Sequence, residues 1–458
     1  MNNSKIILYL FIFAIGLTVS ALMAKSSFSA QTLGMLIFFL IFIPTLLSPE
    51  IGLIIIIFSM LFSPEAIMGR TGARMISVRA EDIILIVIIL AWLIKVALTK
   101  NIPETFKTNL SLPYFSYVGS CFLSTALAMI FSTINLQDSL FAILKYLEYF
   151  LLFIMVKDSL KSLKLSKIYI AVFLLTAIMV AAHSNIFIAQ EIKSGATYFR
   201  VAPPVETRGG GEAGTLGGYL IFMIAVTGGL LLYSRSPILT IFLILLELFM
   251  FRAMLYTLSR GSYVAVVPMI IALIYFTKSK KLILIYLVVA ASLMSVFFMP
   301  QMVRERIFTT VRHENEPTGT RLVWEESPRA RLDSFKVVLF EKFPRSPIFG
   351  YGTAKFFIDS QPFMTLCEAG LLGLLLLVWV LMRLFKAAKK VLTFDVVRDS
   401  DFAMGLTVGF MAGFVGLCFN AISTNTFIII KIMEPFWFIA AIVLSLPQLL
   451  RKEEEAIL

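Results

Sequence analysis

Fourteen stretches of this chain are apolar over lengths near the thickness of a bilayer, and that repetition limits the fold more than any other feature. They fall at about 6–23, 33–48, 51–63, 82–99, 113–132, 138–156, 168–190, 214–233, 237–251, 263–277, 283–299, 363–385, 402–420 and 426–449. At 1.5 Å of rise per residue, about 20 apolar residues cross the hydrocarbon core as a helix. Within that core every backbone polar group needs a partner inside the protein, which leaves only helices and closed barrels. Barrel strands alternate in polarity, and these runs do not. The expected fold is an all-α polytopic membrane protein with about 12–14 transmembrane helices. Composition agrees, at 59% hydrophobic and 15% charged residues, against about 45–50% and about 25% in soluble chains. A soluble enzyme, a disordered chain and a disulfide scaffold are excluded.

Two places admit more than one reading. Lys5 precedes the run Ile6 to Met23 as in a signal peptide, but the run exceeds a typical h-region and further spans follow at once. It reads as a retained first span. Runs 33–48 and 51–63 are short and separated only by Pro49 and Glu50. A re-entrant hairpin and one long tilted helix both fit that pattern.

The net charge of +12 points to topology-setting loops and not to nucleic acid. Lys157, Lys161, Lys164 and Lys167 share one short loop; Lys278, Lys280 and Lys281 another; Lys386, Lys389 and Lys390 a third. These alternate with 191–213, 252–262 and 300–362, so they lie on one side. By the positive-inside rule that side is cytoplasmic, and both termini fall there if all fourteen runs span. Cys121, Cys367 and Cys418 show no CxxC or Cys/His spacing, and with two histidines no structural metal site is expected.

The segment 300–362 is too long and polar to be a simple connector. It holds seven arginines and three lysines against eight acids. The cytoplasmic loops use lysine, whereas this loop uses arginine, whose planar fork suits phosphate oxygens; surface pairing with glutamate is the plainer use. Two other external segments carry candidates. Arg200 and Arg208 precede a glycine-rich stretch that runs directly into a span, where helix N–H groups can face an anion. Gly214 and Gly218 there also form a GxxxG spacing that permits close helix packing. Ser259-Arg260-Gly261 heads the span near Tyr263, a position where an arginine can also merely snorkel. Within the spans, Lys145 and Glu148 stand three apart and are expected to neutralise each other. Glu247 sits mid-span, with Arg252 or a facing helix as its expected partner. Glu368 lies about two turns into a span and needs a partner or a role.

Taken in order, these pieces resemble the O-antigen ligase and O-antigen polymerase superfamily of bacterial envelope glycosyltransferases. The resemblance runs from the Gly-rich segment near 200 to the span ending near 385. Ser259-Arg260-Gly261 is similar to the family's Ser-Arg-Gly. Arg331, with Phe335 four residues later and then Pro347, Phe349, Gly350 and Gly352, is similar to the family's Arg, aromatic and Pro-Leu-Phe-Gly-x-Gly. Phe335 replaces the usual Trp, and the spacing to the glycines is one residue longer. Glu368-Ala369-Gly370-Leu371-Leu372-Gly373 resembles the closing Glu-x-Gly-Leu-Leu-Gly. Nine residues before Glu368, ligases usually carry His in a His-Asn pair. Here Asp359 and Ser360 stand there, as is common in polymerase members.

The resemblance implies a GT-C-like membrane fold, with short helices in a large periplasmic loop. It implies transfer of a glycan from undecaprenyl diphosphate to an acceptor hydroxyl outside the inner membrane. The expected divisions are 1–190 and 191–299 as N-terminal and central helices, 300–362 as the catalytic loop, and 363–458 as C-terminal helices. Arg331, Arg260 and Asp359 are the expected catalytic residues. Arg200, Arg208, Arg321 and Arg329 are expected to bind diphosphate, and Glu368, Gly350 and Gly352 to have structural roles. The external loops carry no DxD-type acidic pair, which favours a route without metal or other cofactor. The expected partners are lipid-linked donor and acceptor, membrane lipids, a chain-length regulator and a flippase. The expected product is polymer; transfer to lipid A–core or protein is the ligase alternative, and a flippase is a second. A flippase would be expected to show symmetric halves and short loops, and this chain has one dominant loop.

Overall fold

A computed structural model describes residues 41–457 apart from 46–47, 64, 72–73, 100–107, 132–133, 206–212, 278–299, 309–310, 317–318 and 325. The backbone alone is described for 65–80, 99, 308, 311–328 where present, and 456–457. The runs expected at 6–23 and 283–299 lie outside the described residues.

The protein is an all-α polytopic membrane protein. Among the described residues, eight helices are long and apolar enough to cross a bilayer. In chain order the helices are α1 (Pro49–Phe62), α2 (Ala80–Thr99), α3 (Ser111–Phe131), α4 (Leu136–Ser159) and α5 (Leu163–Lys193). After these come α6 (Ala213–Tyr233), α7 (Pro237–Tyr256), α8 (Arg260–Phe276), α9 (Gln301–Phe308) and α10 (Glu326–Lys336). Then follow α11 (Gln361–Val391), α12 (Asp395–Asp399), α13 (Asp401–Asn420) and α14 (Ile430–Ile457). Three helix starts carry serine caps. Ser162 accepts from the Leu165 N–H, Ser236 from Leu239 and Ser400 from Ala403, satisfying donors that have no intrahelical partner. Ser48 is extended and Pro49 opens α1, so α1 is separate from helical residues 41–45 and the two are not one long helix.

Two antiparallel hairpins interrupt the helical pattern. β1 (Glu65–Thr71) pairs with β2 (Arg74–Arg79). β3 (Val311–Glu316) pairs with β4 (Gly319–Trp324), in register from Val311 opposite Trp324 to Glu316 opposite Gly319. The second lies in the long loop, where only short helices were expected. The loop therefore holds a strand pair as well as short helices, in keeping with the polar, non-periodic sequence from Arg312 to Trp324.

The bundle is built around α13, α14 and α6. Four-fifths of the apolar window of α14 is buried (83%), against 28% for α7, so α14 is axial and α7 faces lipid. Lipid gives helices no hydrophobic reason to associate, and small residues let backbones close in instead. A Cβ on Gly409 of α13 would sit 2.6 Å from the Ala225 carbonyl oxygen of α6. Aromatic rings fill the space around these helices, among them Phe222, Phe410, Phe414 and Phe436.

The two ends of the bundle differ chemically. At the lysine-rich end Arg235 pairs with Asp401 at 2.6 Å and Lys161 with Glu50 at 3.7 Å. Arg451 lies over Phe394. The intramembrane charges gather more than the sequence suggested. Lys145 bonds Glu148 at 2.8 Å, as expected, and also Asp82 of α2; Glu434 of α14 lies beside Glu148. Glu247 accepts a 2.6 Å hydrogen bond from Thr227 of the facing helix.

Candidate functional site

The long loop returns to the membrane through a break in α11. Gly370 has φ +66° and ψ −166°, a backbone region open essentially to glycine alone. In an unbroken helix the Leu371 and Leu372 amides would donate to the Cys367 and Glu368 carbonyls. Here they donate instead to Pro347 and Ile348, at 2.8 and 3.2 Å. The Cys367 and Glu368 carbonyls accept from Tyr351 and Gly352, both at 3.0 Å. Four helix groups are exchanged for four loop groups, so no buried backbone polar group is lost. Gly350 and Gly352 also have positive φ and follow the tight path this exchange requires.

Helix α3 holds the insert from below. The Ser124 hydroxyl donates to the Glu368 carbonyl at 2.5 Å and accepts from the Gly352 amide at 3.0 Å. Ser139 of α4 donates to the Thr353 carbonyl at 2.6 Å. The Glu368 carboxylate accepts from the Ala354 N–H at 2.7 Å, fixing a residue whose φ is +63°. Glu368 is therefore bonded into the loop's return, and its buried side chain shapes the path toward Asp359.

Asp359 precedes α11 and meets Arg331 of α10, with a 3.8 Å separation of guanidinium nitrogen and carboxylate oxygen. One turn further along both elements, Phe335 stacks on Phe363 with ring centroids 4.1 Å apart and planes 10° apart. The four-residue spacing between Arg331 and its aromatic residue thus places both on one face of α10. The stacked rings fix where the guanidinium hangs. Gln361 ties this end of α11 to the turn between α13 and α14. Its N–H donates to the Ala421 carbonyl at 2.9 Å and its Oε1 accepts from Phe427 at 3.0 Å.

The same turn receives the head of α8. Ser259 is the N-cap residue and Leu258 before it has φ +51°, so Arg260 emerges from a sharp bend. A Cβ on Gly261 would lie 2.9 Å from that of Ser423, so the Ser-Arg-Gly order lets α8 lean on the turn. The Ser262 hydroxyl donates to Asn420 at 3.4 Å, and Asn420 donates to Thr426 at 3.0 Å. Arg200 donates through Nε to the Thr257 carbonyl at 3.2 Å, which brings the connection before α6 to the same place.

The result is a concentration of positive charge. Partial desolvation pulls the Arg200 guanidinium below its ordinary value; the charges of Arg306 and Arg331 act in the same direction, and Tyr198 opposes them. The charges of Arg306, Arg331 and Arg200 all act on Arg260. Arg306 was not singled out in the sequence. It lies three residues after Val303, which is fully buried on α9, so it shares the face that docks onto the bundle. Arg304 and Glu305 on either side of that face are exposed.

The remaining candidates lie elsewhere. Arg329 is exposed and two residues from Arg331, hence on another face of α10. Arg321 stands in β4 opposite Glu314. Arg208 lies outside the described residues. Among the described residues no group of three or more His, Cys, Asp or Glu is arranged to hold a metal ion. The polar stretch Asn420 to Thr426, between two apolar runs, was a signal in the sequence that went unused.

Residues 246–378 match the model of a family described as O-antigen ligase. Over this segment the chain is similar to that family. The match takes in Arg260, Arg306, Arg331, Asp359 and the Gly370 break, and it supports the ligase and polymerase superfamily. Arg200 and the Asn420 turn contact the matched segment from outside it, at Thr257 and Ser262. No curated protein matches the chain.

Proposed function

We propose that this chain is a polysaccharide polymerase acting on undecaprenyl-diphosphate-linked repeat units at the outer face of the inner membrane. The pairing of Arg331 with Asp359 beside Arg260 is the observation that carries this reading. As the glycosidic bond of the donor breaks, negative charge grows on the diphosphate. Arginines already in place stabilise that charge without reorganising. Arg331, Arg260, Arg200 and Arg306 are the residues for this task, with Arg208 a further candidate. The Arg331–Asp359 contact is long and partly exposed, so it is worth no more than ~1 kcal/mol. A diphosphate displaces it readily, and the freed Asp359 carboxylate becomes the general base for the acceptor hydroxyl.

An aspartate at this place, where ligases usually carry histidine, favours the polymerase. The ligase description of the matched family favours transfer of finished glycan to lipid A–core or protein, which is the second reading. On either reading the lysine end is cytoplasmic, loop 300–362 is periplasmic, and a flippase and chain-length regulator are the functional partners. Native mass spectrometry with undecaprenyl diphosphate alone tests the anion site. The expected result is binding to the wild-type chain and at least tenfold weaker binding to Arg260→Ala and Arg331→Ala. Undiminished binding to both would remove the arginines from the donor site.

A further inference from the structure

Between Arg331 and Asp359 the loop carries large apolar side chains that the protein leaves uncovered. Phe340 is 76% exposed, Ile348 57% and Phe357 56%. The exposure is one-sided. Val338 and Phe343 turn inward onto Met364 and Cys367, while Val337, Phe340 and Pro344 recur outward at intervals of three and four residues. An apolar face this dense marks a contact surface.

Its position says what covers it. Pro347 and Ile348 accept hydrogen bonds from Leu371 and Leu372, which seats Ile348 against α11 at the break. Along α11 below, Leu371, Leu375, Val378 and Met382 are exposed at helical spacing, the lipid-facing stripe of a span. Ile348 brings the apolar row of the loop to the head of that stripe. Cations accompany it: Lys342 lies 5.0 Å from the centre of the Phe356 ring and Lys355 5.8 Å from that of Tyr351. Lys336 and Arg345 are exposed on the same segment. Long cationic side chains beside aromatic rings suit the boundary between hydrocarbon and phosphate.

We propose that residues 337–357 form an interfacial element, with Phe340, Ile348 and Phe357 inserted into the bilayer the protein spans and the neighbouring cations at its headgroup phosphates. Arg331 and Asp359 then stand at headgroup level, and a lipid-borne diphosphate reaches them sideways. That consequence rests on the proposed function; the insertion does not.

The test is hydroxyl-radical footprinting of the unaltered full chain in phosphatidylcholine and phosphatidylglycerol liposomes. Tyr198, 57% exposed on the connection before α6, is the water-facing reference. Corrected for intrinsic reactivity, Phe340 and Phe357 are expected to oxidise at least tenfold more slowly than Tyr198. A bimane label on Phe340→Cys should be quenched by lipids brominated near the headgroup, and one on Glu454→Cys, exposed in the charged tail of α14, should not. Oxidation of Phe340 at the Tyr198 rate overturns the proposal. Protection without quenching also overturns it, by assigning the surface to a protein partner.

Discussion

At the scale of single residues, the proposed reaction separates groups that touch the donor from groups that only place them. Removing one preorganised donor of this kind costs about 100-fold or more in rate. Arg331→Ala should therefore lower polymer synthesis by about that factor at unchanged protein level, read from purified enzyme in liposomes. Arg331→Lys restores a point charge but not the fork, and should recover only part of the loss. Phe335 acts through Arg331. Aromatic stacking is worth about 0.5–1.5 kcal/mol, so Phe335→Ala should slow turnover while Phe335→Trp, which keeps the Phe363 stack, should not. Arg260, Arg331 and Asp359 were legible in the sequence because short motifs recur in a fixed order. Arg306 was not, because only the docking of α9 through Val303 reveals which of three neighbouring charged residues faces inward. Gln361 and Asn420 were missed for a related reason: a small polar residue at a span end looks the same whether it is solvated or bonded.

At the scale of elements, the exchange of hydrogen bonds at Gly370 joins two motifs that the sequence keeps twenty residues apart. Gly370→Ala would put a Cβ 2.2 Å from the Ile348 carbonyl oxygen in a backbone region costing about 1–3 kcal/mol for an L-residue. Its unfolding temperature in detergent should fall, and activity with it. Glu368→Ala, which releases the Ala354 amide, should do the same, whereas Arg331→Ala should lose activity at wild-type stability. Equal thermal stability of all three would show that the break is not a structural joint. The spans themselves were legible from hydropathy, since α3 to α8, α11, α13 and α14 fall close to the apolar runs. The β3–β4 hairpin was not, because fold patterning in a polar loop has no buried face to set a period.

At the scale of the molecule, one end carries the short lysine-rich loops, with Arg235 and Lys161 paired to acids, and the other gathers Arg200, Arg260, Arg306 and Arg331. This asymmetry gives a direct test of orientation. Alkaline phosphatase fused after Leu392, beside the Lys386 to Lys390 cluster, should be inactive in cells, and the same enzyme fused after Asn425 should be active. The reverse pattern would put the arginine site in the cytoplasm and contradict the positive-inside assignment. In the proposed function the arginine end joins lipid-linked repeat units. The most direct measurement is of glycolipids, separated by size, in a deletion strain carrying either wild-type or Arg331→Ala protein at matched levels. Single repeat units on undecaprenyl diphosphate should accumulate in the deletion and in the mutant, with long chains restored only by wild type. Long lipid-linked chains in the deletion strain would identify a ligase instead, and wild-type polymer from Arg331→Ala would contradict the account of the site.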